Sequence, residues 1–270
     1  MTQRLKVIIL GSGCSTGVPR VDGYWGACDP ENPKNRRSRC SAWFGLYDAA
    51  SPETLTSVVI DTAPDFREQV LRANLNALDA VLWTHDHADQ THGLDDLRAM
   101  TFAREAPVDG YMDAATHASL TQRFGYIFEG KLGYPPVCRD HVIVPHGTPW
   151  AVTGAGGAMP VVTFDQQHGP IRSVGYRIGD VAYSSDVSDI AEESFAALQG
   201  LKLWIVDALR YKPHPTHSHL AQTLAWIARV KPERAVLTNL HQDMDYDALK
   251  EILPPNVEPA YDQLSFDLEL

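Results

Sequence analysis

Val81-Leu82-Trp83-Thr84-His85-Asp86-His87-Ala88-Asp89-Gln90-Thr91-His92-Gly93-Leu94-Asp95-Asp96-Leu97-Arg98 is the stretch on which the reading of this chain turns. The apolar run at 80–83 reads as a buried strand. At its end His85, His87, Asp89 and His92 follow one another closely. In extended backbone alternate residues point to the same side, so His85 and His87 can grip one ion together, and Asp89 continues the spacing toward a second. Imidazole and carboxylate are the side chains that suit zinc and other first-row metals. Gly93 then opens a helical pattern through Leu94, Leu97 and residues 99–103, which fixes the loop from its far end.

Working outward, residues 5–10 form a β-branched apolar strand that ends in Gly11-Ser12-Gly13-Cys14-Ser15-Thr16-Gly17. The third glycine falls one residue too late for a dinucleotide-binding loop, and Val18-Pro19-Arg20 is a poor helix start. A turn whose glycines permit a close approach is the better reading. Arg36, Arg37 and Arg39 form a basic cluster that serves equally as solvated surface or as an anion contact. Strands are predicted at 41–47 and 57–60, then a helix from Asp65 with Phe66, Val70 and Leu71 as its buried stripe. A strand at 108–112 and a helix at 115–124 come next. The aromatic loop 125–138 is a pocket lid or simply a cover for the core.

Beyond it the pattern is short strands at 142–144, 150–153, 159–165, 173–178 and 181–184, with a hairpin turn at Gly179-Asp180. Helices at 190–198, 220–230 and 246–252 alternate with strands at 203–206 and 235–238, and a strand is expected near 264–268. No composition break or short repeat divides the sequence, so residues 1–270 are expected to form a single domain. Strands and then helices, twice over, predict an α+β fold of two packed sheets with helices outside.

The 270 residues are 44% hydrophobic, ample for a sizeable core. A net charge of −11 argues against large nucleic acid as a partner, although a metal centre can still present local positive charge to a small anion. Cys14, Cys28, Cys40 and Cys138 show no paired spacing. No signal peptide or membrane-length apolar run appears, so the expected setting is cytoplasmic, with the cysteines as ordinary thiols and no membrane partner.

If the central motif binds metal, its other ligands belong at other strand ends. Asp61, His168, Asp186, Asn239 and His241 each occupy such a position. His117 and His141 lack that context and read as surface or packing residues. His214-Pro215-Thr216-His217-Ser218-His219 is a second histidine cluster before a helix. It supplies either ligands, or one acid–base residue on a turn stiffened by its two prolines. The alternative is a helix N-cap at Thr216 or Ser218 with exposed histidines beside it.

Taken together these residues resemble the metallo-β-lactamase superfamily over nearly the whole chain. The resemblance rests on His85, His87 and Asp89 in their His-x-His-x-Asp spacing, on Asp61, His168 and Asp186, and on the segment near Asn239. It implies an αββα sandwich with its metal site along one edge. The chain is most similar to the phosphodiesterase branch that contains phosphoribosyl 1,2-cyclic phosphate phosphodiesterase, through residues 11–19, 92–98 and 213–220. By that resemblance His85, His87 and His168 bind one metal, Asp186 bridges, and Asp89 belongs to a second. His217 protonates the leaving group, so His217 and Asp89 are the expected catalytic residues.

Three departures qualify the resemblance. Gln90 stands where the superfamily usually has His, the final ligand position falls on Asn239, and the branch's cysteine-rich structural zinc site has no counterpart. His241 could replace Asn239 only if the strand end shifts. Both amides belong to the same second site, and exchanging imidazole for amide oxygen favours Mn²⁺ or another hard ion over Zn²⁺. The expected cofactor is therefore one firmly bound Zn²⁺ or Mn²⁺, with a weaker or harder second ion. His92 lies beyond the ligand positions.

The function this predicts is hydrolysis of a small, cyclic or nucleotide-like phosphodiester by a metal-activated water. Arg20, Arg36, Arg37 or Arg98 would contact phosphate. Two alternatives stand beside it: a thioester, lactone or β-lactam hydrolase on the same scaffold, and a nucleotide-phosphate-binding protein with little turnover. The expected partners are a small phosphate ester and a second copy of the chain in a homodimer.

Overall fold

Alternation along the strands decides what each sheet buries. In the computed structural model, which describes residues 2–270, the first sheet contains β1 (Gln3–Gly11), β2 (Ser41–Asp48), β3 (Ser51–Ile60), β4 (Ala80–Leu82), β5 (Val108–Met112) and β6 (Cys138–Val142), neighbours in chain order. The second contains β7 (Trp150–Gly154), β8 (Gly157–His168), β9 (Ile171–Ile178), β10 (Val181–Ser184), β11 (Asp189–Ile190), β12 (Leu203–Asp207), β13 (Arg234–Thr238) and β14 (Val257–Pro259). The final strand, β15 (Ser265–Glu269), returns to the first sheet beside β1.

On β1, Leu5, Val7 and Ile9 point into the layer between the sheets while Ile8 and Leu10 point outward. On β12, Leu203 and Ile205 point inward while Trp204 and Val206 point outward. Both faces of these strands are therefore apolar, and helices must cover the outer ones. α1 (Phe66–Arg72), α3 (Leu97–Arg104) and α4 (Ala114–Phe128) do so on the first sheet; α2 (Ala88–Thr91) is a single turn after β4. α5 (Leu220–Val230) and α6 (Tyr246–Ile252) cover the second. α5 buries Leu220, Thr223, Trp226, Ile227 and Val230, a stripe at helical spacing. It stops at Lys231, which takes a left-handed φ of 54° just before Pro232. Each large apolar side chain buried this way contributes roughly 1.5–3 kcal/mol. The αββα sandwich expected from the sequence is the observed fold.

Differences from the sequence reading have local causes. α4 runs on to Phe128 through a non-helical Phe124, because Ile127 and Phe128 are buried in the outer layer. The aromatic segment thus contributes to the core, while Tyr126 and Tyr134 stay exposed. The strand expected at 142–144 is β6, at Cys138–Val142, and the helix expected at 190–198 is a 3₁₀ segment at Glu192–Leu198. β14 carries only three residues and escapes a periodicity reading. Among the described residues no helix is long and apolar enough to cross a membrane.

Strand direction places the site. β3 and β4 are parallel, as are β10, β12 and β13, so their C-terminal ends gather along one edge of the sandwich. β8 is antiparallel to β9, which is antiparallel to β10, so β8 also ends there.

Candidate metal centre

Four side chains meet at that edge. His85, His87, His168 and Asp186 each offer one ligand atom, and these atoms all lie within 4.8 Å of one another. His168 Nε2 is 3.3 Å from His87 Nδ1, and Asp186 Oδ2 is 3.7 Å from both His85 Nε2 and His168 Nε2. Ligands about 2.0–2.1 Å from a tetrahedral ion are roughly 3.4 Å apart, so the pairs at 3.3 and 3.7 Å already approach that spacing and the wider ones must draw in to close on one ion. His85, His168 and Asp186 are buried and His87 is exposed, which leaves one side open to solvent.

Neighbouring groups orient His168, His85 and Asp186. His168 Nδ1 donates to the Thr216 carbonyl at 2.7 Å, so its Nε2 lone pair faces the cluster. Asp61 accepts from the Thr84 backbone N–H at 2.8 Å and from the Thr84 hydroxyl at 2.9 Å. With its proton given to Asp61, Thr84 Oγ1 accepts from His85 Nδ1 at 3.0 Å. His85 Nε2 is left buried with no hydrogen-bond partner among the described residues. Burial holds His85 down at about 3, mainly against the pull of Asp186, so its imidazole is neutral and able to ligate. A neutral, oriented and otherwise unsatisfied nitrogen beside two more imidazoles and a carboxylate fits a divalent ion.

Asp186 joins two surroundings. Burial alone would raise its pKa, but His217, His85 and His168 hold the carboxyl below its ordinary range. Oδ2 faces the imidazoles, including His217 Nε2 at 4.0 Å. Oδ1 accepts from Ser185 Oγ at 2.8 Å, Asn239 Nδ2 at 3.1 Å and Gln90 Nε2 at 3.3 Å. Asp61, Asp186 and Asn239 all sit at strand ends with φ between 53° and 61°. Asp and Asn tolerate that left-handed conformation better than other side-chain-bearing residues.

His217 stands beside the cluster, its ring 4.7 Å from that of His168. Its Nδ1 donates to Asp207 Oδ2 at 2.9 Å, which turns Nε2 toward Asp186. Burial pushes the Asp207 carboxyl up to about 6. Burial lowers His217, but Asp207 and Asp186 raise it further, to about 9. The pair therefore keeps its proton on the imidazole at neutral pH, while a cation among the neighbouring ligands would work against that charge. His219 is the N-cap residue of α5 and caps with no side chain, and the Ser218 hydroxyl donates to the Asp207 carbonyl at 2.7 Å. The helix-cap alternative for Thr216 or Ser218 is thereby displaced.

The remaining expected residues lie outside this four-ligand group. Asp89 lies outside the four-ligand group and its Oδ2 accepts from Gln90 at 3.3 Å; burial and Asp186 push it up to about 6. His241 turns away to Asp243 at 3.1 Å, because Asn239 keeps the strand-end position. His92 lies 2.9 Å from Arg123 and against Phe124. His117 and His141 pair with Asp140 and Asp109. Of the arginines, Arg37 is buried and donates to the Met244 carbonyl at 2.8 Å, so it is structural and unable to meet a substrate. Arg20 pairs with Asp22 and Arg98 with Asp95, while the exposed Arg36 stacks over Trp25.

The glycine turn makes the close approach expected of it, but to protein backbone. A side chain at Gly11 would meet the Arg39 carbonyl oxygen at 2.0 Å. That packing lets Cys14 N–H reach the Leu240 carbonyl at 3.4 Å, beside Asn239. Asp207, Thr84 and Ser185 were absent from the sequence expectations. Asp207 ends β12 and so carried the same strand-end signal as the others. Thr84 and Ser185 carried none beyond adjacency to a ligand.

Residues 56–239 match the family model described as the Beta-lactamase superfamily domain. A solved structure described as a new diphosphatase from the PhnP family is 33% identical, with a TM-score of 0.85, over 100% of this chain and 99% of that one. Zn²⁺-bound PqqB from Methylobacterium extorquens shares the fold at 17% identity, with a TM-score of 0.75, over 97% of this chain and 100% of that one. A curated relative from Porphyromonas gingivalis (strain ATCC BAA-308 / W83), named Octanoyltransferase, is 36% identical over 265 residues. The match takes in 96% of this chain, which spans about half, 51%, of that relative's length.

Proposed function

The chain belongs to the β-lactamase superfamily, and on that premise we propose that it is a metal-dependent hydrolase acting on a small phosphodiester. The observation that carries this reading is the pairing of a one-ion ligand set with the Asp207–His217 dyad at its rim. The similarity to the PhnP-family diphosphatase supports phosphorus as the centre attacked.

His85, His87, His168 and Asp186 would hold the ion. Such an ion supplies Lewis acidity and a water nucleophile usable near neutral pH. Water oxygen bonds to phosphorus, the P–O bond to the leaving group breaks, and the departing oxygen needs a proton. His217 would give it, a role supported by Asp207, which holds Nδ1 and leaves Nε2 facing the cluster. Arg36, exposed and without an ion-pair partner among the described residues, is the remaining candidate for a phosphate contact among the four arginines first considered.

A second reading is thioester hydrolysis on the same scaffold, favoured by the acyl-transfer name of the Porphyromonas relative. One panel separates them: cyclic and alkyl phosphodiesters, an activated aryl phosphodiester and an octanoyl thioester, each with Zn²⁺ and with Mn²⁺. Phosphodiester turnover that chelation abolishes and metal restores is expected; turnover of the thioester alone would overturn the proposal. His217→Ala should cost about 10²–10⁴-fold on an alkyl phosphodiester and little on the activated aryl one. An equal loss on both would remove His217 from the proton-donor role.

A further inference from the structure

The two oxygens of Asp186 are satisfied by different chemistry. Oδ2 lies 3.7 Å from both His85 Nε2 and His168 Nε2, too long for hydrogen bonds and well disposed to share an ion, with His217 Nε2 beyond them at 4.0 Å. Oδ1 receives three neutral donors, from Ser185, Asn239 and Gln90. A carboxylate oxygen offers about two lone-pair sites, so Oδ1 is fully occupied. An amide oxygen that close to a carboxylate oxygen would be repelled, which turns both NH₂ groups to Oδ1, although Asn239 Nδ2 also lies 3.1 Å from His217 Nδ1. Amide oxygens turned inward would have built a harder second site. The structure turns the opposite ends of both amides toward the shared carboxylate.

The arrangement is also held firmly. Gln90, Ser185, Asp186 and Asn239 are all buried. The Thr62 N–H donates to the Gln90 carbonyl at 2.8 Å, tying the α2 turn to the end of β3. Asp186 and Asn239 both follow strands of the second sheet, with β12 lying between β10 and β13. A second cation beside Oδ1 would have to displace three donors to a buried carboxylate.

We propose that this centre is built for a single divalent ion, held by His85, His87, His168 and Asp186 Oδ2, and that Gln90, Asn239 and Ser185 stand in for a second cation by neutral hydrogen bonding to Asp186 Oδ1. The inference rests on the metal-dependent reading above and adds to it the number of ions and the role of these three residues. Neutral donors orient Asp186 Oδ1 without adding charge or a second Lewis acid.

The test counts ions. The 270-residue protein, stripped with chelator, is titrated calorimetrically with Zn²⁺ and, separately, with Mn²⁺, and the metal retained after gel filtration is measured by mass spectrometry. One ion per chain is expected with either metal, and the Mn²⁺-loaded protein should give the electron paramagnetic resonance spectrum of an isolated ion. Gln90→His/Asn239→His, which supplies two imidazoles in place of the amides, should bind two ions per chain. Wild-type protein that holds two ions, or shows a coupled-pair spectrum, overturns the proposal and leaves the metal-dependent reading intact. Protein that retains no ion overturns both. A double variant that folds yet still binds one ion overturns the role given to the amides. Should that variant fail to fold, the wild-type count and spectrum decide alone.

Discussion

The two sheets contribute to the centre in different ways. The first supplies a contiguous segment: β4 ends, and His85, His87, Asp89 and Gln90 follow within one turn of chain. The second supplies one residue from each of four strand ends, His168, Asp186, Asp207 and Asn239. The first contribution includes the exposed ligand, His87, whereas the second is almost wholly buried. A segment can be shaped by its own turn, but residues on separate strands are aligned only by packing of the sheets. The first half should therefore be sensitive mainly in metal binding, and the second in stability as well.

The largest effect should come from removing a ligand. Loss of a partner behind a metal ligand costs about 10–100-fold in metal affinity or activity, so loss of the ligand itself should exceed that. His87→Ala and His168→Ala are both expected to lose retained metal and to reduce turnover more than about a hundredfold. They should differ in stability. His168→Ala leaves the Thr216 carbonyl without its donor and opens a buried space, costing about 1–3 kcal/mol, whereas His87→Ala removes an exposed ring. Metal analysis with urea unfolding of the chelator-stripped proteins checks both halves; equal destabilisation would erase the contrast between the sheets.

An intermediate effect is expected at Thr84, which links Asp61 to His85. Thr84→Val keeps the shape and removes the hydroxyl, leaving His85 free to turn. Metal affinity should fall about 10–100-fold while the fold is retained, read by competition with a chromophoric chelator. Unchanged affinity would mean that packing alone orients His85.

The smallest effect should be at His241. Its imidazole pairs with Asp243 rather than entering the cluster, so His241→Ala should change stability by no more than about 0.5 kcal/mol and leave the metal content as it was. A lost ion in that variant would show that the end of β13 shifts to bring His241 in.

The site was partly legible because metal ligation needs particular side chains at particular places. His85 and His87 were readable from spacing, since period two in extended backbone puts both on one side. His168 and Asp186 were readable as polar residues closing apolar runs. Asp207 obeys the same rule but carries no distinguishing signal, because Val-Asp at a strand end is ordinary without the histidine it meets ten residues later. Arg37 shows the reverse failure. A basic cluster looks like surface, yet its guanidinium is buried on the Met244 carbonyl because the loop before β2 folds against the segment after β13.

By itself the sequence determined the two apolar-faced sheets, the helices that cover them, and the identity of the imidazoles and carboxylates available to an ion. Those follow from local periodicity and side-chain chemistry. Tertiary structure alone decided which end of each amide meets Asp186. Gln90 and Asn239 carry a donor and an acceptor on the same group, and sequence cannot distinguish a carbonyl offered to a cation from an NH₂ offered to a carboxylate. Only where the strand ends converge does the position of Asp186 Oδ1 select the donor.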